Sequence, residues 1–367
     1  MATLLQRNTR VDWGTVTDEV PIESIAFEIR RSNSPPTAFT MRHVPRTVQT
    51  GCDPGLARLE KAFGLDLGKD PDPIWSWGHM GLHLYPSALN LANYILSDNG
   101  RALIQGQRVL ELGCGPGLLG PIVAVAGARD IILTDFDPMV LDLCSYNQIA
   151  TQHALAALVA PECQISVLRL DWREVGKVMS KVQSKAAKPL SALESIDVFL
   201  ATDVIFDDEL SCDLAEAILA IFEENPAAIG LLGVQYREDD PLKAKSSAVE
   251  AWLDAAVDSS VEMDAGMHLQ GRSRSRSRSP ERSKIAPSEA QVDRKWTICA
   301  KRLLGRAQRL DDGIDVAKHD SLFLSQVGED RVVHPSSHAC PLELWKLWRR
   351  SSSSSSAEPH LQSREKG

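Results

Sequence analysis

Between residues 74 and 260, short runs of aliphatic and β-branched residues alternate with longer amphipathic stretches. Arg108–Leu112 (RVLEL) is too short for a helix and is closed by glycines, which predicts a buried strand. Leu118–Ala126 predicts a helix that stops at Gly127. Asp130–Thr134 (DIILT) predicts the next strand. Pro138–Ile149 predicts the next helix, with Asp137 as its cap ahead of a proline in the first turn. Ile165–Leu170, Ile196–Ala201 and Ala228–Val234 predict further strands. Asp207–Glu223 predicts a long helix, because Leu210, Leu214, Ile218 and Ile221 recur at three- and four-residue spacing. Strands alternating with helices predict an α/β fold whose mostly parallel sheet is covered by helices on both faces. Ligands in such sheets sit at the carboxyl ends of the strands.

The flanks differ in texture. Residues 1–70 read as an N-terminal extension, with one apolar stretch at Ile22–Ile29 followed by the turn-rich SNSPPT. Residues 71–350 read as one domain, interrupted at about 264–292 by a low-complexity Arg/Ser-rich insert that cannot bury a core and is expected to be disordered. Residues 351–367 read as a polyserine tail. The insert obscures which late segments complete the sheet. Leu342–Leu347 is placed in it, and Trp296–Ala300 and Ser321–Val327 are left open.

Charge narrows the range of partners. The chain carries a net −9, and the tract 271–284 alone carries +5, so the rest sums to −14. An acidic body is a poor match to a phosphate backbone, and direct nucleic-acid binding is not expected. The seven cysteines form no CxxC pair and fit no zinc spacing, so no metal site is expected and the thiols read as reduced. The best apolar run, Leu118–Ala128, is broken by Gly120 and Pro121 and is too short to span a bilayer. The expected location is the cytoplasm or the nucleus.

The chemistry is concentrated at strand ends. After the first strand stands Glu111-Leu-Gly113-Cys114-Gly115-Pro-Gly117. Glycines there let the main chain turn tightly and approach a ligand. The dinucleotide fingerprint needs a third glycine where Leu118 stands, and the lysine of a phosphate-binding loop is missing. A negative Glu111 would repel a pyrophosphate but suits a ligand with an ammonium or sulfonium group. Asp135, twenty-four residues after Glu111 at the end of the second strand, can accept from both hydroxyls of a ribose.

This combination resembles the first motifs of class I S-adenosylmethionine-dependent methyltransferases. That resemblance implies S-adenosyl-L-methionine as cofactor and a seven-stranded, mostly parallel Rossmann-like sheet. It places Glu111 near the methionine part, and Gly113, Cys114, Gly115 and Gly117 in the cofactor loop. Three further segments are similar to the protein-lysine methyltransferase family 16. Gly81–Leu96 resembles its G-x-x-x-W-P/D-A-A motif, with Tyr85 where the family has the tryptophan that covers the cofactor. Asp171-Trp172 resembles its adenine-binding pair: a carboxylate can accept from an exocyclic amine and an indole can stack on a purine. Thr202-Asp203-Val-Ile-Phe206 fits D/E-x-x-Y/F rather than the proline-containing motif of adenine and glutamine-amide methyltransferases. Asp207-Asp-Glu-Leu210 and Leu342–Trp348 are similar to the methyltransferase-like 21/22 group of that family.

The implied activity is methyl transfer to a lysine side chain of a protein substrate, the lysine lying in a basic segment that an acidic body would attract. Asp203 would receive or orient the ammonium and Phe206 would wall its aliphatic stem, although both residues could equally cap and underpack the following helix. Two other readings stay open: methylation of another protein or small-molecule nitrogen, and a catalytically weak nuclear scaffold. In the second of these the Arg/Ser tract, which resembles splicing-factor repeats, would engage kinases or splicing proteins.

Overall fold

The computed structural model describes residues 22–31, 34–44, 79–175, 193–205, 208–235, 296–304, 323–327 and 342–351. Its centre is a seven-stranded sheet. In chain order the strands are β3 (Arg108–Leu112), β4 (Asp130–Asp135), β5 (Gln164–Arg169), β6 (Val198–Thr202), β7 (Ile229–Gln235), β8 (Trp296–Leu304) and β10 (Leu342–Ser351). The spatial order is β5-β4-β3-β6-β7-β10-β8. The five strands from β5 to β7 run parallel, and β10 runs antiparallel to both β7 and β8. The expected Rossmann-like sheet is therefore present, with one reversed strand near its edge.

Helices cover both faces, as the continuous apolar strands require. On one face α1 (Pro86–Leu96), α3 (Leu119–Val125) and α4 (Pro138–Leu155) bring residues such as Leu91, Ile122 and Cys144 against Val109, Ile131, Leu133 and Leu200. On the other, α5 (Asp208–Glu224) packs Leu214, Ile218 and Ile221 against Leu110, Leu112, Ile132 and Phe199. Alternate residues of one strand thus serve opposite cores, the period-two rule of a strand buried on both sides. A short helix, α2 (Asp98–Ile104), follows α1, and Ser97 caps it by accepting from the Gly100 N–H at 3.3 Å.

Two expectations change in detail. The strand expected from Ile196 begins at Val198, because the Ile196 N–H donates to the Asn225 side chain instead, at 2.8 Å. The helix expected over Pro138–Ile149 continues to Leu155. Buried Asn147, Gln148 and Thr151 break its apolar pattern without breaking the helix, since each finds hydrogen-bond partners there. Asp137 does cap the helix, accepting from the Met139 and Val140 N–H groups at 2.7 and 3.4 Å.

The late segments divide between two sheets. Residues 296–304 form the outer strand of the main sheet. Residues 323–327 form β9, which pairs antiparallel with β1 (Glu23–Arg31), and β1 pairs in turn with β2 (Ser34–His43). Within the stretch read as an N-terminal extension, residues 22–44 are therefore a hairpin. Its Phe27, Phe39 and Met41 join the same core as α1 and α3, and the two phenylalanine rings stack at 5.4 Å. The Arg/Ser insert and residues 352–367 lie outside the described residues.

Candidate functional site

A cavity opens at the carboxyl ends of β3, β4, β5 and β6, where the topology places ligand sites. Tyr85, Glu111, Gly113, Cys114, Gly115, Asp135, Asp171, Trp172, Thr202 and Asp203 all line it. Gly117 does not. It turns the chain into α3, and its carbonyl accepts from the Gln148 amide at 2.8 Å. Phe206 lies outside the described residues.

The glycine loop is shaped by close approach. Gly113 and Gly115 hold φ at 71° and 53°, where a Cβ is disfavoured. A Cβ on Gly113 would stand 2.8 Å from Val204 and 3.5 Å from the Trp172 ring, and one on Gly115 would stand 3.2 Å from the Gly81 carbonyl. The loop is pinned to β4 by the Cys114 N–H, which donates to the Thr134 carbonyl at 2.8 Å. The Thr134 hydroxyl donates in turn to the Glu111 carbonyl at 2.6 Å. The Cys114 thiol lies 3.7 Å from that of Cys144 in α4.

Two acids at this end have no basic side chain paired to them among the described residues. Glu111 is 2% exposed, and its Oε2 finds no hydrogen-bond partner. Burial, reinforced by the neighbouring Asp135 charge, pushes its carboxyl well above the usual range. Asp135 accepts from the N–H groups of Phe136 at 2.8 Å, Asp137 at 3.3 Å and Gly115 at 3.4 Å. Burial still raises it to about 7: those donors lower it, but the Asp137 charge adds to the rise. An unmatched buried carboxylate is costly, so a site built this way suits a ligand that brings an ammonium and hydroxyl donors. Among the described residues no group of three or more His, Cys, Asp and Glu side chains stands together.

Asp171 lines the cavity as expected but is bonded differently. Its Oδ1 accepts from Arg173 Nε at 2.8 Å and from the Arg173 N–H at 3.1 Å. Its Oδ2 accepts from Arg173 at 2.6 Å and from Arg169 at 3.4 Å. Burial pulls this carboxyl up, but the arginines outweigh it and hold it below its ordinary value. Two donors on each oxygen leave Asp171 little capacity to accept from an adenine amine. Its work is to fix Arg173, whose guanidinium also lies over the Phe136 ring at 5.8 Å. The Trp172 ring lies against the glycine loop and lines the cavity.

On the other wall, Tyr85 keeps a ring over the cavity while its hydroxyl donates to the Met80 carbonyl at 3.1 Å, bracing the 3-10 turn His79–Leu82. Asp203, 9% exposed, holds φ at 58°. A non-glycine residue in that region stores strain, the more notable at a cavity wall. The Asp203 N–H donates to the Gly233 carbonyl at 2.9 Å, locking the turn after β6.

His83, Phe136, Arg173 and Val204 also line the cavity and were not singled out from sequence. Phe136 between two acids and Arg173 directly after Asp171-Trp172 carried a positional signal. His83, whose Nδ1 meets the Val44 carbonyl at 2.6 Å, carried none, because its partner is thirty-nine positions away.

Residues 75–243 match a family model described as lysine methyltransferase. Several curated proteins are similar over parts of the chain. The protein N-terminal and lysine N-methyltransferase efm7 of Schizosaccharomyces pombe is 30% identical over 154 residues, covering 42% of this chain and 54% of its own length. Methyltransferase-like protein 22 of Mus musculus is 29% identical over 196 residues, or 51% and 48% of the two chains. The histone-arginine methyltransferase METTL23 of Mus musculus is 28% identical over 148 residues, or 40% and 49%. The chain spans about half the length of these relatives.

Proposed function

We propose, since residues 75–243 match a family model described as lysine methyltransferase, that this protein is an S-adenosylmethionine-dependent protein-lysine N-methyltransferase. The observation that carries the reading is the partnerless, buried Glu111 carboxylate beside Asp135 at a glycine loop in left-handed conformation. Glu111 would hold the ammonium of the cofactor's methionine part, Asp135 the ribose hydroxyls, and Trp172 with Phe136 the faces of the adenine. Bound there, the cofactor supplies a methyl group on a positively charged sulfur.

The chain's own work is on the acceptor. A lysine must be neutral to attack, and its ordinary pKa is about 10.4. A largely apolar wall of Val204, Leu210 and Tyr85 disfavours the ammonium by desolvation. The Asp203 carboxylate, fixed by its strained turn, receives and orients the amine, and Phe206 walls the stem. Alignment of the amine then supplies most of the acceleration. The substrate is a protein with the lysine in a basic segment, and the site of action is the cytoplasm or nucleus. The Arg/Ser tract is a contact for kinases or splicing proteins.

A second reading has specific support, because relatives are named for arginine and histidine as well as lysine: the acceptor is another protein nitrogen. One experiment addresses both. The full chain is incubated with methyl-labelled cofactor and a cell extract, and the labelled protein is hydrolysed to amino acids. Methyl-lysine supports the first reading and methyl-arginine or methyl-histidine the second, whereas cofactor binding with no labelled protein sinks both. Asp203→Ala should abolish labelling while the affinity for S-adenosylhomocysteine changes less than about threefold; equal loss of both would move Asp203 into the cofactor site.

A further inference from the structure

The hairpin β1–β2 is tied to the glycine loop through one side chain. β2 is an edge of its own sheet, and the Arg42 main chain faces away from β1. Asn147, in the middle of α4 and fully buried, engages both of that residue's main-chain groups. Its Oδ1 accepts from the Arg42 N–H at 2.8 Å, and its Nδ2 donates to the Arg42 carbonyl at 2.9 Å. That is the exchange a neighbouring antiparallel strand would make. The second Nδ2 hydrogen goes to the Pro116 carbonyl at 2.8 Å, inside the glycine loop. The amide orientation is fixed by its partners, since an N–H can only donate and two carbonyls can only accept. Two residues on, the Val44 N–H donates to the Leu82 carbonyl at 2.9 Å and the Val44 carbonyl meets His83 at 2.6 Å. The end of the hairpin therefore grips both walls of the cavity.

We propose that Asn147 is a positioning residue through which the hairpin holds the glycine loop in its ligand-ready shape, so that β2 contributes to cofactor affinity although no residue of β2 lines the cavity. The affinity half of this rests on the cavity being the cofactor site. A loop released from Asn147 must be reordered by each incoming ligand, and that ordering cost appears as weaker binding. Turnover at saturating cofactor depends on the Asp203 wall and is spared.

The test uses the full chain with Asn147→Ala and Arg42→Pro. The second variant removes the N–H that Asn147 accepts, together with the Arg42 side chain, at an edge position that pairs with β1 through its other residues, and leaves the Asn147–Pro116 bond in place. It carries the test if Asn147→Ala does not fold. Hydrogen exchange of the free protein should speed up at residues 113–117 in both variants while the β1 amides stay protected. Calorimetry with S-adenosylhomocysteine should show affinity lower by about tenfold, one lost buried hydrogen bond. The Michaelis constant for cofactor should rise alongside, with turnover at saturation within about twofold. An Arg42→Pro protein with an intact hairpin, unchanged loop exchange and unchanged affinity overturns the proposal. Faster loop exchange in a protein whose wild-type form binds no S-adenosylhomocysteine keeps the hairpin-to-loop link and sinks the cofactor reading instead.

Discussion

Asp135 and Asp171 stand at the ends of adjacent parallel strands and face one cavity, yet the protein treats them in opposite ways. Asp171 is saturated by two arginines and lies below its ordinary pKa. Asp135, with Glu111 beside it, has only main-chain donors or none, and burial lifts both. The pairing at Asp171 makes it architecture: it spends a carboxylate to fix Arg173. Among the described residues no cation pairs with Glu111 or Asp135, which is what the proposed cofactor site would use. Residue type and strand-end position are the same in both places. The neighbours decide the role.

The largest effect that would break this contrast is on binding. Glu111→Gln and Asp135→Ala should each weaken S-adenosylhomocysteine by about a hundredfold, the loss of a charge-assisted contact. Glu111→Gln should at the same time leave the free protein as stable as before or more stable by about 1 kcal/mol, since it removes an unmatched buried acid. Calorimetry and urea unfolding measure the two. A destabilised free Glu111→Gln protein would mean that the carboxylate has an internal structural partner.

Asp171→Ala should do the reverse. Loss of a buried, multiply bonded acid should lower the free protein's unfolding free energy by about 2 kcal/mol, while cofactor affinity moves by less than about fivefold. A larger loss of affinity than of stability would restore Asp171 to the adenine contact that the sequence suggested.

The smallest effect concerns pH, and its sign differs between the two sides. Asp135 has a raised folded pKa, so its contribution to stability is fully present below about pH 4 and is lost as pH rises through about 7; Glu111, raised well above its ordinary range, shifts in the same direction. Asp171, with a lowered value, contributes above about pH 4 and loses that contribution as pH falls through its folded value. An ionised Asp135 is the better acceptor for hydroxyl donors, so affinity should drop about tenfold from about pH 8 to about pH 6 as Asp135 titrates through about 7. Asp135→Asn should flatten that slope and Asp171→Asn should not; a slope unchanged in Asp135→Asn assigns the titration elsewhere.

Much of the fold and most of the cavity were legible because their signals are local. Strands β3, β4 and β7 are apolar runs bounded by turn residues, and the glycine loop with Asp135 is a contiguous pattern. What escaped depends on distant partners. Nothing in FLSQV at 323–327 says that it leaves the main sheet to pair with Ala26–Arg30. The alternation of Ile25, Phe27 and Ile29 fits a half-buried strand, but the surface it covers is α1 and α3, far along the chain. Asn147 reads as a flaw in an amphipathic helix until Arg42 and Pro116 are placed beside it. Asp171 is the exception: Arg169 and Arg173 stand only two positions to either side, and the sequence does not say that both turn back onto it.

The threading of β10 between β7 and β8 has a consequence for biosynthesis. While the ribosome is still short of residue 342, β7 presents an open backbone edge and residues 296–304 have no strand to join. A nascent chain in that condition is a template for pairing with its neighbours. Pairing of residues 342–351 with both neighbours is the step that closes this edge, so a block before residue 342 would leave it exposed.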